Sequence, residues 1–311
     1  MPVINVPLDA GSYESDSLPI SNQQCVNLFV NIPQTQSALS AANLFGGAGI
    51  EQISTTQVDG TVNKTNRGSH VKAGVPYFLN GTELYKVEKS FDTEGQPVYT
   101  NVFVGDIPGD DRVSMADNGT QLMVLVKGGD GYIIDESSGT PFVVISDPSF
   151  KANGNPQIVT FIDSFFVCST DSKKFIRSDA NNGNSWDALA VFSAESDPDD
   201  IVGLQIYNNR LFVMGSEVTE EFVNSGGQFQ RTGFFIDKGL YGSFATISTN
   251  NSFMWIGGGT NEGAAIWVLN GNQPQKISTT AIDVAIQKFN QEEIEAAFAY
   301  SYAQKGAYFV G

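Results

Sequence analysis

Six strand signals recur along the chain at nearly constant spacing, and this period limits the fold more than any other feature. Their cores read PYFLNG around Tyr77, QLMVLV around Met123, SFFVCS around Phe166, RLFVMG around Phe212, SFMWIG around Met254 and GAYFVG around Tyr308. Successive steps are 46, 43, 46, 42 and 54 residues. A period in the low to middle forties accommodates four short strands and their turns, the length of one β-propeller blade. The second unit shows the pattern best. RVSMADNGTQLMVLVKGGDGYIIDESSGTPFVVIS holds four apolar runs ending near Ala116, Val126, Ile134 and Ile145, separated by NG, GDG and SSGT turns. Asn, Asp and Gly tolerate the positive φ of tight hairpins, so the spacing encodes an antiparallel four-stranded sheet.

The expected fold is all-β: a β-propeller of about six four-stranded blades. Residues 62–311 form its body, and residues 1–61 an N-terminal arm or closing strands. Phe166, Phe212 and Met254 are expected at equivalent buried positions. The same strands and turns also describe a β-sandwich, from which radial repetition distinguishes a propeller. The segment from Pro2 to about Gly60 carries VNLFVNIP and is too apolar to float, so it is expected to pack as an arm or to give a strand to the last blade, removing an open edge.

One stretch breaks the β pattern. STTAIDVAIQKFNQEEIEAAFAYSYAQ, from Ser278 to Gln304, places Ile282, Ile286 and Phe289 on one helical face. Thr280 with Asp283, and Asn290 with Glu293, approximate capping boxes, predicting a helix of about ten residues and a shorter one within a helical insertion at about 279–300. The insertion accounts for the long last step. It reads either as a docking element on the rim or as a connection covering apolar surface.

Composition narrows the function classes. With 34 acidic residues against 17 basic ones, the net charge is −17, and such a surface repels phosphate and disfavours tight nucleic-acid binding. Cys25 and Cys168 stand in apolar contexts without CxxC spacing and read as buried thiols in a reducing compartment. The start, MPVINVPLDAG, lacks a basic n-region, and no run approaches the ~20 apolar residues of a membrane span, so synthesis in a cytosol and no membrane insertion are expected.

Catalytic chemistry is sparse. His70 is the only histidine and has no nucleophile motif around it, so it reads as a satisfied turn or surface residue. The acidic run Glu195, Asp197, Asp199 and Asp200 lacks the spacing of an EF-hand and reads as a solvated loop. DANNGNSW, Asp179 to Trp186, resembles a degenerate Asp box of sialidase-type propellers, with Gly183 and Trp186 matching but Asp179 and Asn181 departing. In that family the box is a turn that supports the fold. The five arginines, Arg67, Arg112, Arg177, Arg210 and Arg231, stand in no sialidase-like motif. Trp186, Trp255 and Trp267 are dispersed and read as core, unlike the clustered aromatics of a glycan site. No catalytic, cofactor-binding or metal-binding residue is assigned, and no cofactor is expected.

Larger blocks carry a family resemblance. AESDPDDIVGLQIYNNRLFVMGSEVTEEFVNSG, Ala194 to Gly226, is similar to the most recognisable block of the tail hub, or packaged-DNA stabilisation, proteins of short-tailed phages. CVNLFVNIP with NLFGGAGI, RVSMADNGTQL, KGLYGSFA and the stretch from Ser252 to Gly311 follow in the same order. Such proteins continue past the point where this sequence stops, at the strand signal YFVG, so further sequence or a partner strand is expected there. The resemblance implies a non-enzymatic nozzle subunit of the virion tail, assembled in the host cytoplasm. It further implies a homo-hexameric ring below a portal adaptor, carrying tailspikes or fibres and a needle or plug. DNA would be retained by the ring and pass through its lumen without sequence-specific binding. The alternative reading is a glycan-binding or glycan-cleaving propeller of a tail.

Overall fold

A computed structural model describes residues 13–14, 22–23, 28–31, 43–46, 65–196, 199–249, 251–304 and 307–311. Two short antiparallel pairs come first: β1 (Tyr13–Glu14) with β2 (Asn22–Gln23), and β3 (Leu28–Asn31) with β4 (Asn43–Gly46). Five four-stranded antiparallel sheets follow. The first comprises β5 (Asn66–Lys72), β6 (Val75–Asn80), β7 (Glu83–Phe91) and β8 (Pro97–Asp106). The second comprises β9 (Val113–Asp117), β10 (Gln121–Val126), β11 (Gly131–Asp135) and β12 (Phe142–Val144). The third runs through β13 (Pro156–Ile162), β14 (Phe165–Thr170), β15 (Lys174–Asp179) and β16 (Asn182–Ser193). The fourth holds β17 (Gly203–Tyr207), β18 (Arg210–Met214), β19 (Thr219–Ser225) and β20 (Gln228–Ile236). The fifth holds β21 (Thr246–Thr249), β22 (Ser252–Gly257), β23 (Ala265–Asn270) and β24 (Gln273–Lys276). Helices α1 (Thr280–Gln287) and α2 (Gln291–Glu295) then lead to the hairpin β25 (Ser301–Gln304) and β26 (Ala307–Val310).

Each sheet is ordered as its chain order, strand to adjacent strand. The first strands touch in succession, β5 to β9, β13, β17, β21 and β25, while the chain steps outward within each sheet. A parallel bridge between Phe244 and Phe298 joins the approach to β21 with the approach to β25. The arrangement is radial, as a propeller requires and a sandwich does not. The expectation of about six four-stranded blades is corrected to five such blades. Among the described residues, the sixth position is represented by β25–β26, which follows two helices that take up the long last interval.

All six periodic signals lie in the second strand of their unit, at β6, β10, β14, β18, β22 and β26. These strands are apolar at consecutive positions because both faces are covered. Side chains alternate across a strand, so sheets two, three and four each feed two cores, and sheets one and five feed one each. Leu122 and Val124 face the first sheet, whereas Met123 and Leu125 face the third. Leu211 and Val213 pack toward the third sheet, Phe212 and Met214 toward the fifth. Four cores therefore lie between five sheets. Phe166 and Phe212 are buried as expected, but they face opposite ways, Phe166 toward the second sheet and Phe212 toward the fifth. Met254 is only half-buried, because Phe253 and Trp255 take the fourth-sheet side and leave Met254 on the face turned to the incomplete sixth position.

The helices start where expected, with one change of cap. Thr279, rather than Thr280, accepts from the Ile282 amide, and Asp283 is drawn instead to Ser278 and Lys276. Asn290 and Glu293 form the reciprocal capping box. Ile282 and Phe289 are exposed. Ile286, Phe289, Ile294 and Ala297 line a small apolar cleft over Ile256, so the helices roof part of the fifth sheet's outer-facing side. Among the described residues, no helix is long and apolar enough to cross a membrane.

Candidate functional site

The first strands of the five sheets and the segment leading to β25 surround an axial cavity of about 290 Å³, lined from Asn66 and Arg67 round to Phe298 and Tyr300. A cavity of this volume is far too small for a duplex whose major groove alone is about 12 Å wide. Among the described residues, no carboxylate lines it. Two arginines do, and both are engaged. Arg67 is fully buried and donates to the carbonyls of Asp111, Gly81, Ile107 and Pro108, at 2.6, 3.0, 2.8 and 3.3 Å. Gly109, at φ +105°, lets the chain pass close to this guanidinium, where a side chain would meet Arg67 Nη2 at 3.0 Å. Arg112 lies over the Phe298 ring at 3.8 Å, joining the second unit to the sixth. Burial lowers the pKa of both guanidinium groups.

A wider cavity of about 550 Å³ adjoins this one at Ser243. Its wall carries Asp171, Asp200, Glu217, Glu262 and Glu295, with Lys127 as the single lysine or arginine among the described lining residues. The carboxylates come from the loops after the second strands of sheets three, four and five, from the connection into sheet four, and from α2. Glu217 accepts from Thr260 Oγ1 at 2.7 Å, Glu262 from Lys238 Nζ at 3.2 Å, and Asp171 from the Asn155 amide at 2.9 Å. Burial, then Glu262 and Glu217, raise the Tyr241 hydroxyl pKa beside them. The mouth is a fixed anionic surface that repels a polyanion.

The residues singled out from sequence occupy separate places. His70 Nε2 meets Asp117 Oδ2 at 2.6 Å, tying the first strands of sheets one and two. Asp199 Oδ2 accepts from Ser216 Oγ and the Glu217 amide, each at 3.1 Å, and so fixes a turn. Glu195 accepts from Ser193 Oγ, Asp200 lines the anionic mouth, and Asp197 lies outside the described residues. Among the described residues, no group of three His, Cys, Asp or Glu side chains is placed to hold a metal. Cys168 is buried and desolvation pushes its thiol pKa well up, while Cys25 is outside the described residues.

The other candidates are structural. DANNGNSW forms the hairpin between β15 and β16, with Ser185 Oγ donating to Asp179 Oδ2 at 2.6 Å and Trp186 Nε1 to the Gly183 carbonyl at 2.9 Å. Trp186 and Trp255 are buried, and half-buried Trp267 donates to the Gly257 carbonyl. Arg177 stacks on Phe165 and donates to Gly227. Arg210 pairs with buried Glu221, and Arg231 with buried Glu220. These arginines do not converge. Sequence reading missed the anionic mouth: an acidic residue follows the second strand closely in each of the first five units, and the fold decides that only those of the third, fourth and fifth line it.

Comparison with known proteins adds one family and one curated relative. The sequence model of a phage stabilisation family, described as "Bacteriophage P22 Gp10, beta-propeller", matches residues 4–310. "Tail hub protein gp10" of Salmonella phage P22 is 24% identical over 238 residues, covering 72% of this chain. The chain spans about half, 49%, of that relative's length. Among solved structures, the N-terminal domain of Nup159 superposes with a TM-score of 0.46 at 11% identity, over 77% of this chain and 67% of that one. The WD40 domain of Neurospora crassa Pan2 gives 0.44 at 11% identity, over 77% and 73%.

Proposed function

Because this chain belongs to the phage stabilisation family of P22 Gp10-type β-propellers, we propose that it is a structural, non-enzymatic subunit of a phage tail hub. The observation that carries the reading is the continuous family match over residues 4–310, on a chain whose P22 relative is named a tail hub protein. In this role six copies form a ring beneath a portal adaptor, and the ring bears tailspikes or fibres and receives a needle or plug. Packaged DNA is held above it and leaves through its lumen. The subunit is then a component of the virion tail, assembled in the host cytoplasm.

Two features of the molecule support this division of labour. The axial cavity of one propeller is too small for DNA, so a genome channel has to lie between subunits. A chain of net charge −17 presents a wall along which a polyanion slides without the phosphate contacts that would arrest it. Exposed Leu189 and Phe235, on the outermost strands of sheets three and four, offer apolar anchors for neighbouring proteins. Imaging the purified protein by electron microscopy, with and without adaptor-bearing particles, tests the proposal. Sixfold rings on the particles are expected. Absence from the tail, or five or twelve copies there, overturns the ring.

A further inference from the structure

We propose that the axial cavity is a binding site for a small carboxylate with a compact apolar body, gripped by Arg112. The inference does not depend on the hub role. Arg112 stands just before β9, and one face of its guanidinium is covered by the Phe298 ring at 3.8 Å. Its hydrogen-bonding edge is unpaired: among the described residues it donates to no carbonyl and meets no carboxylate. The other four arginines differ. Arg67 and Arg177 donate to backbone carbonyls, Arg210 pairs with Glu221 and Arg231 with Glu220. Burial alone lowers the Arg112 pKa, whereas Asp110 and Asp111 oppose that effect at Arg67. A guanidinium stays charged even so, and its planar fork of N–H groups matches the two oxygens of a carboxylate.

The rest of the lining sets the class of anion. Several of its polar side chains already have partners: Thr246 Oγ1 donates to Gln205 Oε1 at 3.2 Å, Gln205 Nε2 to Ser248 Oγ at 2.7 Å, and Ser114 Oγ to the Val159 carbonyl at 3.2 Å. Met115, Leu204, Phe244 and Tyr300 supply apolar wall. A cavity of about 290 Å³ stands at the small end of ligand pockets, which run roughly 300–1,000 Å³. Charge narrows the choice further. The carboxylates of the adjoining mouth repel an anion in proportion to its charge, so a monocarboxylate is favoured over phosphate. Seated on Arg112, such a molecule touches residues of the second unit, of β17 and β21 and of the approach to β25, which meet around the axis.

The test uses the full chain with benzoate as the probe. Met115 lines the cavity, whereas Met123 and Met214 lie in blade cores. In protein isotopically labelled at its methionine methyl groups, with Met115→Leu assigning the signal, benzoate is expected to shift the Met115 resonance saturably and more than those of Met123 and Met214. Benzyl alcohol keeps the ring but carries no charge, and it is expected to bind at least about tenfold more weakly, for want of the charge-assisted pair. Inorganic phosphate is also expected to bind more weakly than benzoate. Arg112→Gln is expected to lose benzoate by a factor of at least about ten. Where that variant does not fold, the preference for benzoate over benzyl alcohol at Met115 decides. No Met115 shift at ~10 mM benzoate, or a shift shared equally by Met123 and Met214, overturns the proposal. So does undiminished binding by folded Arg112→Gln. Equal binding of benzyl alcohol overturns it in favour of a plain apolar cavity, and equal binding of phosphate in favour of an inorganic-anion site.

Discussion

Several single residues among those described hold neighbouring blades in place. Arg67 shows how. Its buried guanidinium satisfies three carbonyls in the connection from the first sheet to the second and the Gly81 carbonyl in the β6–β7 turn, and no apolar side chain can replace those donors. Arg67→Ala is expected to lower stability by roughly 3–5 kcal/mol, since several buried acceptors lose their partners together. His70 is the contrast. Its contact with Asp117 is part-exposed, so His70→Ala is expected to cost no more than about 1 kcal/mol. Chemical denaturation of the two variants checks the pair, and equal losses contradict this ranking. Neither role was legible in the sequence, where Arg67 and His70 sit in one polar strand, NRGSHVK. Burial of an arginine is set by where the next blade's connection passes, and that is a fact of three dimensions.

At the scale of elements, the second strand of each unit was the legible part, because burial on both faces demands an unbroken apolar run. Outer strands were harder to read. They alternate or mix polar and apolar residues, and Met254 shows that an apolar residue at the right period is only half-buried where the neighbouring blade is incomplete. Turns between elements carry the titration of the fold. Asp147 accepts from the Trp186 amide at 2.8 Å and the Ser149 amide at 2.9 Å, bonds that depress its pKa. Asp135 is lowered by Ser137, and Glu136 by Lys86. A carboxylate with a depressed folded pKa contributes stability that is complete above its unfolded value near ~4 and is lost as the pH falls through the folded value. Melting temperature is therefore expected to fall as pH is taken from 7 to 3. Asp147→Asn should melt lower at pH 7 and show a smaller drop to pH 3, and an unchanged drop contradicts the assignment.

For the whole molecule, charge and shape together set association. With a net charge of −17 per chain, mutual repulsion is expected to keep the isolated protein largely monomeric at low salt, so that the proposed ring would form by docking on a preformed tail. Analytical ultracentrifugation at low and high salt checks this, and stable hexamers of the purified chain at low salt contradict it. The four cores lie in series, each shared by two sheets that are neighbours in sequence. A body built this way couples stress only from neighbour to neighbour. Sheets two, three and four are clamped on both sides and form its stiff arc, while sheets one and five are each clamped on one. Compliance collects at the seam between them. In the proposed hub role, a subunit under load is expected to deform first at that seam, and the seam's orientation would set the direction in which it yields.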